Sequence, residues 1–189
     1  DERHKPFLLG NDSTPLTLAL NRWPAGPGAP NLAPAHLQQR IEAWQELLQP
    51  AVNDGVYRCG FARNQSAYNR ASAAMTDALQ ELERSLKQEG PWLCGATLTL
   101  ADVRLFPTLI RWETVYAPLF GCSASPLWML PELWKWRQRF LSLSGVEATC
   151  DAAAWRHDYF GALFPLNPGG IVPDGPKLST LVNSTIPLP

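Results

Sequence analysis

The side chains with the strongest chemistry in this chain are its thiols, at Cys59, Cys94, Cys122 and Cys150. A thiolate is a nucleophile and a soft metal ligand, and both roles leave spacing signatures. Here no two cysteines form a C-x-x-C pair, and none is followed by proline as a thioredoxin-type nucleophile usually is. Local spacing therefore offers neither a zinc site nor a redox dithiol, and scattered reduced thiols are the plain reading. Cys59, in a glycine-rich turn two residues after Tyr57, is the best placed of the four for reactivity, with a structural role as its alternative. His4, His36 and His157 lie on three separate segments without metal-ligand spacing, so no metal is expected. Arg104 and Arg111, seven apart, share one helical face, as a solvated or salt-bridged pair would.

The totals limit what such groups can serve. With 189 residues the chain is one domain by size and long enough to bury a core. It is 46% hydrophobic and 17% charged, which is a globular and not a disordered composition. Lys plus Arg is 16 against 17 for Asp plus Glu, a net charge of −1 that gives no reason to expect nucleic acid or an anionic membrane as partner. No apolar run reaches the ~20 residues of a bilayer crossing, and no signal-peptide pattern opens the chain. These features, with the reduced thiols, predict a cytoplasmic protein. The first residue is Asp1 and not Met, as in a processed or truncated start.

The elements that must position these groups read as helices. Phe7-Leu8-Leu9 is a short apolar stretch ended by Gly10-Asn11-Asp12-Ser13, and Ser13 is a suitable N-cap for a helix carrying Pro15 in its first turn. The run Trp23-Pro24-Ala25-Gly26-Pro27-Gly28-Ala29-Pro30 cannot continue it and reads as a linker. Beyond it, Leu37, Ile41, Trp44 and Leu48 recur at helical spacing up to Pro50. A longer helix over 65–89 carries the stripe Tyr68, Ala71, Met75, Leu79, Leu82 and Leu86, with Asp77, Glu81, Arg84 and Lys87 opposite. Thr99-Leu100-Ala101-Asp102 is a capping box in its Asp form, opening a helix to about Tyr116 with a kink expected at Pro107. After a connection through Gly121, Cys122 and Pro126, helices are expected over about 131–143 and 151–160. The proline-rich tail from Ala162 is expected to run extended against the domain or to be disordered. The class is all-α, and the tryptophans, Trp134 and Trp136 among them, are core and loop anchors.

Several segments match a known family. Leu93-Cys94-Gly95-Ala96-Thr97-Leu98-Thr99-Leu100-Ala101-Asp102 resembles the G-x-x-x-T-x-A-D signature of the glutathione transferase C-terminal domain. Asn53-Asp54-Gly55-Val56-Tyr57-Arg58-Cys59-Gly60-Phe61-Ala62 is similar to N-N-G-V-Y-K-x-G-F-A of the narrower Xi class, the glutathionyl-hydroquinone reductases. So are the segment from Leu105 to Tyr116, against L-F-x-T-L-I-R-F-D-x-V-Y, and that from Asn167 to Pro176, against N-P-x-G-I-I-P-x-G-P. Asn11-Asp12-Ser13 resembles the N-E-S that closes the family's thioredoxin-like domain, with aspartate one methylene shorter in place of glutamate. The resemblance implies a helical bundle of the glutathione transferase C-terminal type over 31–176. Residues 1–30 would then be a truncated thioredoxin-like remnant and linker, and 177–189 a tail.

It also implies a chemistry. Family members take glutathione off a hydroquinone ring: a cysteine thiolate attacks the glutathione sulfur, the ring leaves, and a second glutathione resolves the mixed disulfide. Negative charge develops on the departing ring, and a tyrosine hydroxyl can donate to it while staying protonated at neutral pH. By motif these tyrosines are Tyr57, Tyr116 and Tyr159, the last in His157-Asp158-Tyr159-Phe160 where the family more often reads x-H-Y-Y. On spacing alone the three are amphipathic core tyrosines with a surface hydroxyl. Asp12 and Ser13 would hold the γ-glutamyl end of glutathione, the co-substrate, and Arg104 and Arg111 could meet its carboxylates.

Two readings follow. In one, the chain is the hydroquinone-binding half of a glutathione-dependent reductase, inactive alone because the Cys-Pro nucleophile segment is not among its residues. In the other it is a non-catalytic module that binds a partner protein or a hydrophobic ligand. Apolar surface left without its thioredoxin-like half predicts a homodimer or an aggregation-prone chain.

Overall fold

The computed structural model describes residues 10–23, 26, 28–122, 124 and 126–183, and among these no strand is present. The apolar stretch Phe7-Leu8-Leu9 lies outside the described residues. The first helix, α1 (Ser13–Asn21), is capped by Asp12 and not by Ser13: the Asp12 carboxylate accepts from the Thr14 amide at 2.8 Å. It ends before the linker, where Gly26 and Gly28 take positive φ values that glycine adopts without strain. Asn21 ties the end of α1 to the far side of the linker, donating to Asn31 and accepting from the Leu32 amide.

The bundle follows as α2 (Gln38–Leu48), α3 (Gly55–Gly60), α4 (Gln65–Glu89), α5 (Leu100–Ile110), α6 (Ala117–Phe120), α7 (Pro131–Leu141) and α8 (Ala152–Ala162). Helix α4 begins and ends where the stripe predicts, with the Asn64 side chain accepting from the Ala67 amide. Its face Met75, Leu79, Leu82 and Leu86 is buried, while Asp77, Arg84 and Lys87 are exposed. Glu83, also on α4, accepts from the Glu132 and Leu133 amides and so caps α7 from a neighbouring helix.

The capping box at the start of α5 is formed, and it does more than close a helix. Asp102 is fully buried, and its carboxylate accepts from the Thr99 amide, the Leu93 amide and the Trp136 indole, each at 2.9 Å. One side chain thus joins a cap, a loop and α7. Burial still pushes the Asp102 carboxyl above its ordinary value, against the pull of these donors.

Two expectations differ from the structure. Pro107 sits inside α5, and the ladder gives way four residues later, at Arg111, where a π-helical turn over Trp112–Tyr116 begins. The tail is not wholly extended either: after a stretch without regular structure, α9 (Leu178–Asn183) packs on α7 with Leu181 buried. The prolines at 168, 173 and 176 all precede that helix, so proline content concealed it.

Candidate functional site

A second π-helical turn, Gln49–Asn53, lies between α2 and α3, so an irregular turn adjoins or contains two of the three tyrosines singled out by sequence. Such turns re-aim the side chains that follow them and recur at functional sites. Asn53 joins the Gln49–Asn53 turn to α5, accepting from the Thr108 hydroxyl at 2.8 Å and donating to the Arg104 carbonyl at 3.4 Å. The turn over Trp112–Tyr116 is held by Arg137 of α7, which is 1% exposed and donates to the Leu109 carbonyl and to Glu113. Tyr57 then rises from α3, Tyr116 ends its turn, and Tyr159 comes from α8.

The three hydroxyls meet. Tyr57 Oη lies 2.7 Å from Tyr159 Oη and 3.3 Å from Tyr116 Oη, and Tyr116 Oη lies 3.1 Å from Tyr159 Oη. Each phenol has one proton and two lone pairs, so a closed triangle satisfies all three, each donating once and accepting once. The floor is Phe120, whose ring centroid is 5.4 Å from Tyr57, 5.5 Å from Tyr116 and 6.1 Å from Tyr159. Gly60 makes that approach possible, because a Cβ there would sit 2.5 Å from Phe120 Cγ.

Tyr116 is buried at the base, 2% exposed, while Tyr57 opens to solvent at 38%. Burial raises both phenols above their ordinary value, and for Tyr116 the two neighbouring hydroxyls add to the rise. The cluster therefore holds two neutral donors, Tyr57 and Tyr116, at physiological pH. Its chemical competence is to surround one ligand oxygen with hydroxyls that stay protonated as charge grows on that oxygen.

Other predicted residues lie elsewhere. The Asp12 carboxylate caps α1 and the Ser13 carbonyl accepts from the Thr17 hydroxyl, and among the described residues neither hydrogen-bonds to the three tyrosines. Arg104 and Arg111 are half-buried and form no ion pair among the described residues. Arg104 donates to Thr14 Oγ1 at 2.7 Å and Gln49 Oε1 at 2.9 Å, bracing α1 against the bundle. Arg111 donates to the Pro107 carbonyl and stacks 4.9 Å from the Trp155 ring centroid, one turn before Tyr159.

Cys59, Cys94 and Cys122 are buried, Cys150 is half-buried, and all four are free thiols. Cys59 and Cys122 meet each other, a contact that lowers the Cys59 thiol and raises Cys122, while burial raises Cys94 and Cys150. His36 and His157 are exposed, and among the described residues no group of three or more His, Cys, Asp or Glu could hold a metal ion. Sequence reading missed Phe120, Gly60 and Arg137. Only the glycine left a signal, since a glycine at the end of a helix leaves room for a close approach.

Residues 65–139 match the family model described as glutathione S-transferase, C-terminal domain. This chain carries the helical C-terminal domain of the glutathione S-transferase family. It is similar to the glutathionyl-hydroquinone reductase PcpF of Sphingobium chlorophenolicum, 34% identical over 171 residues, which cover 89% of this chain and 54% of that one. Among solved structures it resembles a glutathione transferase from Gordonia bronchialis, with 38% identity, a TM-score of 0.87, and coverage of 92% and 55% of the two chains. It also resembles glutathione-bound YqjG from Escherichia coli K-12, with 34% identity, a TM-score of 0.77, and coverage of 80% and 49%. The chain spans about half the length of the curated relatives it matches.

Proposed function

We propose that this chain is the hydroquinone-binding half of a glutathione-dependent reductase that removes glutathione from glutathionyl-hydroquinones. The observation that carries the reading is the triangle of phenol hydroxyls at 2.7, 3.1 and 3.3 Å over an aromatic floor. In the reaction a cysteine thiolate attacks the glutathione sulfur and forms an enzyme–glutathione disulfide. The ring carbon keeps the electron pair of the broken C–S bond and gains a proton. A second glutathione then reduces the mixed disulfide, releasing glutathione disulfide and the enzyme thiol. Tyr57, Tyr116 and Tyr159 bind the ring oxygens and stabilise the charge that grows there, and burial favours the neutral form of Tyr57 and Tyr116. Asp12 and Ser13 hold the γ-glutamyl end of glutathione once it is seated.

The nucleophile is supplied by a thioredoxin-like Cys-Pro segment that these residues do not contain. Their own thiols suit the role poorly: three are buried, and burial holds Cys94 and Cys150 in the protonated form. The four unpaired thiols suit a cytoplasmic setting. The exposed apolar side chains Leu20 and Trp23, at the end of α1, suit a face covered by another subunit or domain, as in a homodimer.

The test is turnover of glutathionyl-menadione with glutathione by these 189 residues, alone and joined to the thioredoxin-like domain of a relative. The expected result is none alone and turnover on joining. Turnover by the chain alone, or none after joining despite a folded product, overturns the reading.

A further inference from the structure

Phe61 also borders a cleft of about 530 Å³ between α3 and the first turns of α4, which none of the three tyrosines lines. Its rim carries Arg58, Arg63 and Arg70, and no carboxylate lines it. The chain as a whole has a net charge of −1, so three guanidiniums around one cleft are a local concentration and not a reflection of composition. All three are exposed, and among the described residues none is ion-paired; Arg70 donates only to Ser66 one turn back. The amino-terminal end of α4 adds partial charge of the same sign. The floor is apolar: Ala67 and Ala71, with the Phe61 ring, which is 47% exposed, at one end.

We infer that this cleft binds a small aromatic anion, a phosphate or sulfonate ester held by the guanidinium fork geometry with its ring against Phe61. The volume falls in the range of small-molecule sites. Guanidiniums bind tetrahedral oxyanions through paired charge-assisted hydrogen bonds. A charged group alone would gain little from the alanine floor and the phenyl ring, and a neutral ring would leave three like charges facing one another. The site is distinct from the phenol triangle, although the Phe61 ring packs at a tilt against Phe120, with centroids 5.6 Å apart, and so touches the floor of both. The inference does not depend on the reductase reading.

Calorimetric titration of the 189-residue chain with 1-naphthyl phosphate tests it, with 1-naphthol as the neutral probe. Saturable binding of the phosphate is expected, at least about ten-fold tighter than naphthol and weakening as salt rises. Arg63→Ala and Arg70→Ala, both at exposed positions, should each lower affinity by about ten-fold, one charge-assisted hydrogen bond's share. Arg84→Ala, which removes the same charge elsewhere on α4, should leave it unchanged, as should Tyr159→Phe. Circular dichroism checks that each variant is folded. Absence of saturable binding, equal affinity for naphthol, or equal losses in the Arg63 and Arg84 variants overturns the proposal.

Discussion

The hydroxyl of Tyr57 lies 2.7 Å from that of Tyr159, although 102 residues separate them in the chain. That edge is the shortest of the triangle, and the Tyr57–Tyr116 edge is the longest at 3.3 Å. On the proposed reading, a ligand oxygen entering from the open side breaks the weakest edge first; with one proton on each phenol, it accepts from both Tyr57 and Tyr116 once Tyr159 donates to Tyr57 and the Tyr116–Tyr159 edge is given up as well. Replacing Tyr57 or Tyr116 by Phe should therefore weaken menadione binding by about ten-fold, and Tyr159→Phe by less, because one of these donates directly and the other orients. Calorimetry on the three variants checks the order. A larger loss in Tyr159→Phe than in Tyr116→Phe would reverse the assignment of roles.

The same burial sets a pH dependence. Tyr57 and Tyr116 are raised above the ordinary phenol value, by burial foremost. In the unfolded chain tyrosine loses its proton near pH ~10. Below that both states are protonated and the contribution to stability is complete. Above it the unfolded chain binds fewer protons than the folded one, so stability falls as pH rises. Urea melts at rising alkaline pH should show that decline, and tyrosinate absorbance of the native chain should lag behind that of the unfolded one. Tyr116→Phe should flatten the decline, and an unchanged slope would count against a raised Tyr116.

Much of the helical scaffold was legible in the sequence, because its signals are local. The stripe on α4, the Thr99 cap and the Pro131 start are each read within a turn or two of the residue concerned. The three tyrosines came from motif resemblance, and nothing in their spacing announces that Tyr57, Tyr116 and Tyr159 converge. What stayed hidden depends on distant contacts. The capping box and the helical period predict an α5 that reaches Tyr116 with a kink at Pro107, whereas the helix ends at Ile110 and a π-helical turn follows, whose Glu113 accepts from Arg137 of the distant α7. The Phe120 floor depends on Gly60, 60 residues earlier, lacking a Cβ. Arg104 and Arg111 read as a solvated or salt-bridged pair, and tertiary packing gave each a different neutral partner, the Thr14 hydroxyl for Arg104 and the Trp155 ring for Arg111.

Gly60→Ala probes that floor. The new methyl would overlap Phe120 at Cβ, Cγ and Cδ1, the rigid base of the ring and not a mobile tip. Relief requires α3 and α6 to part or the ring to rotate away from the tyrosines. The expected cost is about 1–3 kcal/mol in chemical denaturation, with a further loss of quinone affinity. A variant as stable as the parent and binding equally well would show that the floor yields freely.

Asp102→Asn tests the buried carboxylate. Oδ1 accepts from the Leu93 amide and the Trp136 indole, while Oδ2 accepts from the Thr99 amide and hydroxyl. Every neighbour of both oxygens is a donor, so the amide group of asparagine must face N–H groups on one side whichever way it turns. Removing the buried charge offsets part of that loss, since burial already disfavours it. The net expectation is destabilisation of about 2–3 kcal/mol by urea melts. A neutral or stabilising effect would mean that the carboxyl is protonated in the native state.

Arg137 and Glu113 decide whether the π-helical turn is a cause or a consequence of the tyrosine cluster. The pair spans 2.5 Å with Arg137 1% exposed, and the guanidinium also stacks 4.3 Å from the Trp134 centroid. Removing one partner leaves the other charge buried without compensation, which costs about 3–5 kcal/mol. Glu113→Gln is the milder change, because the amide oxygen can still accept from Arg137. If the turn is held from α7, Glu113→Gln should keep most of the stability and the quinone affinity, whereas Arg137→Met should lose both. The double variant Arg137→Met with Glu113→Leu removes both charges and should recover much of the stability. Affinity then separates the two cases. If the tyrosines hold themselves together, the double variant binds as the parent does. If Arg137 sets the turn through the Leu109 carbonyl, stability returns and affinity does not.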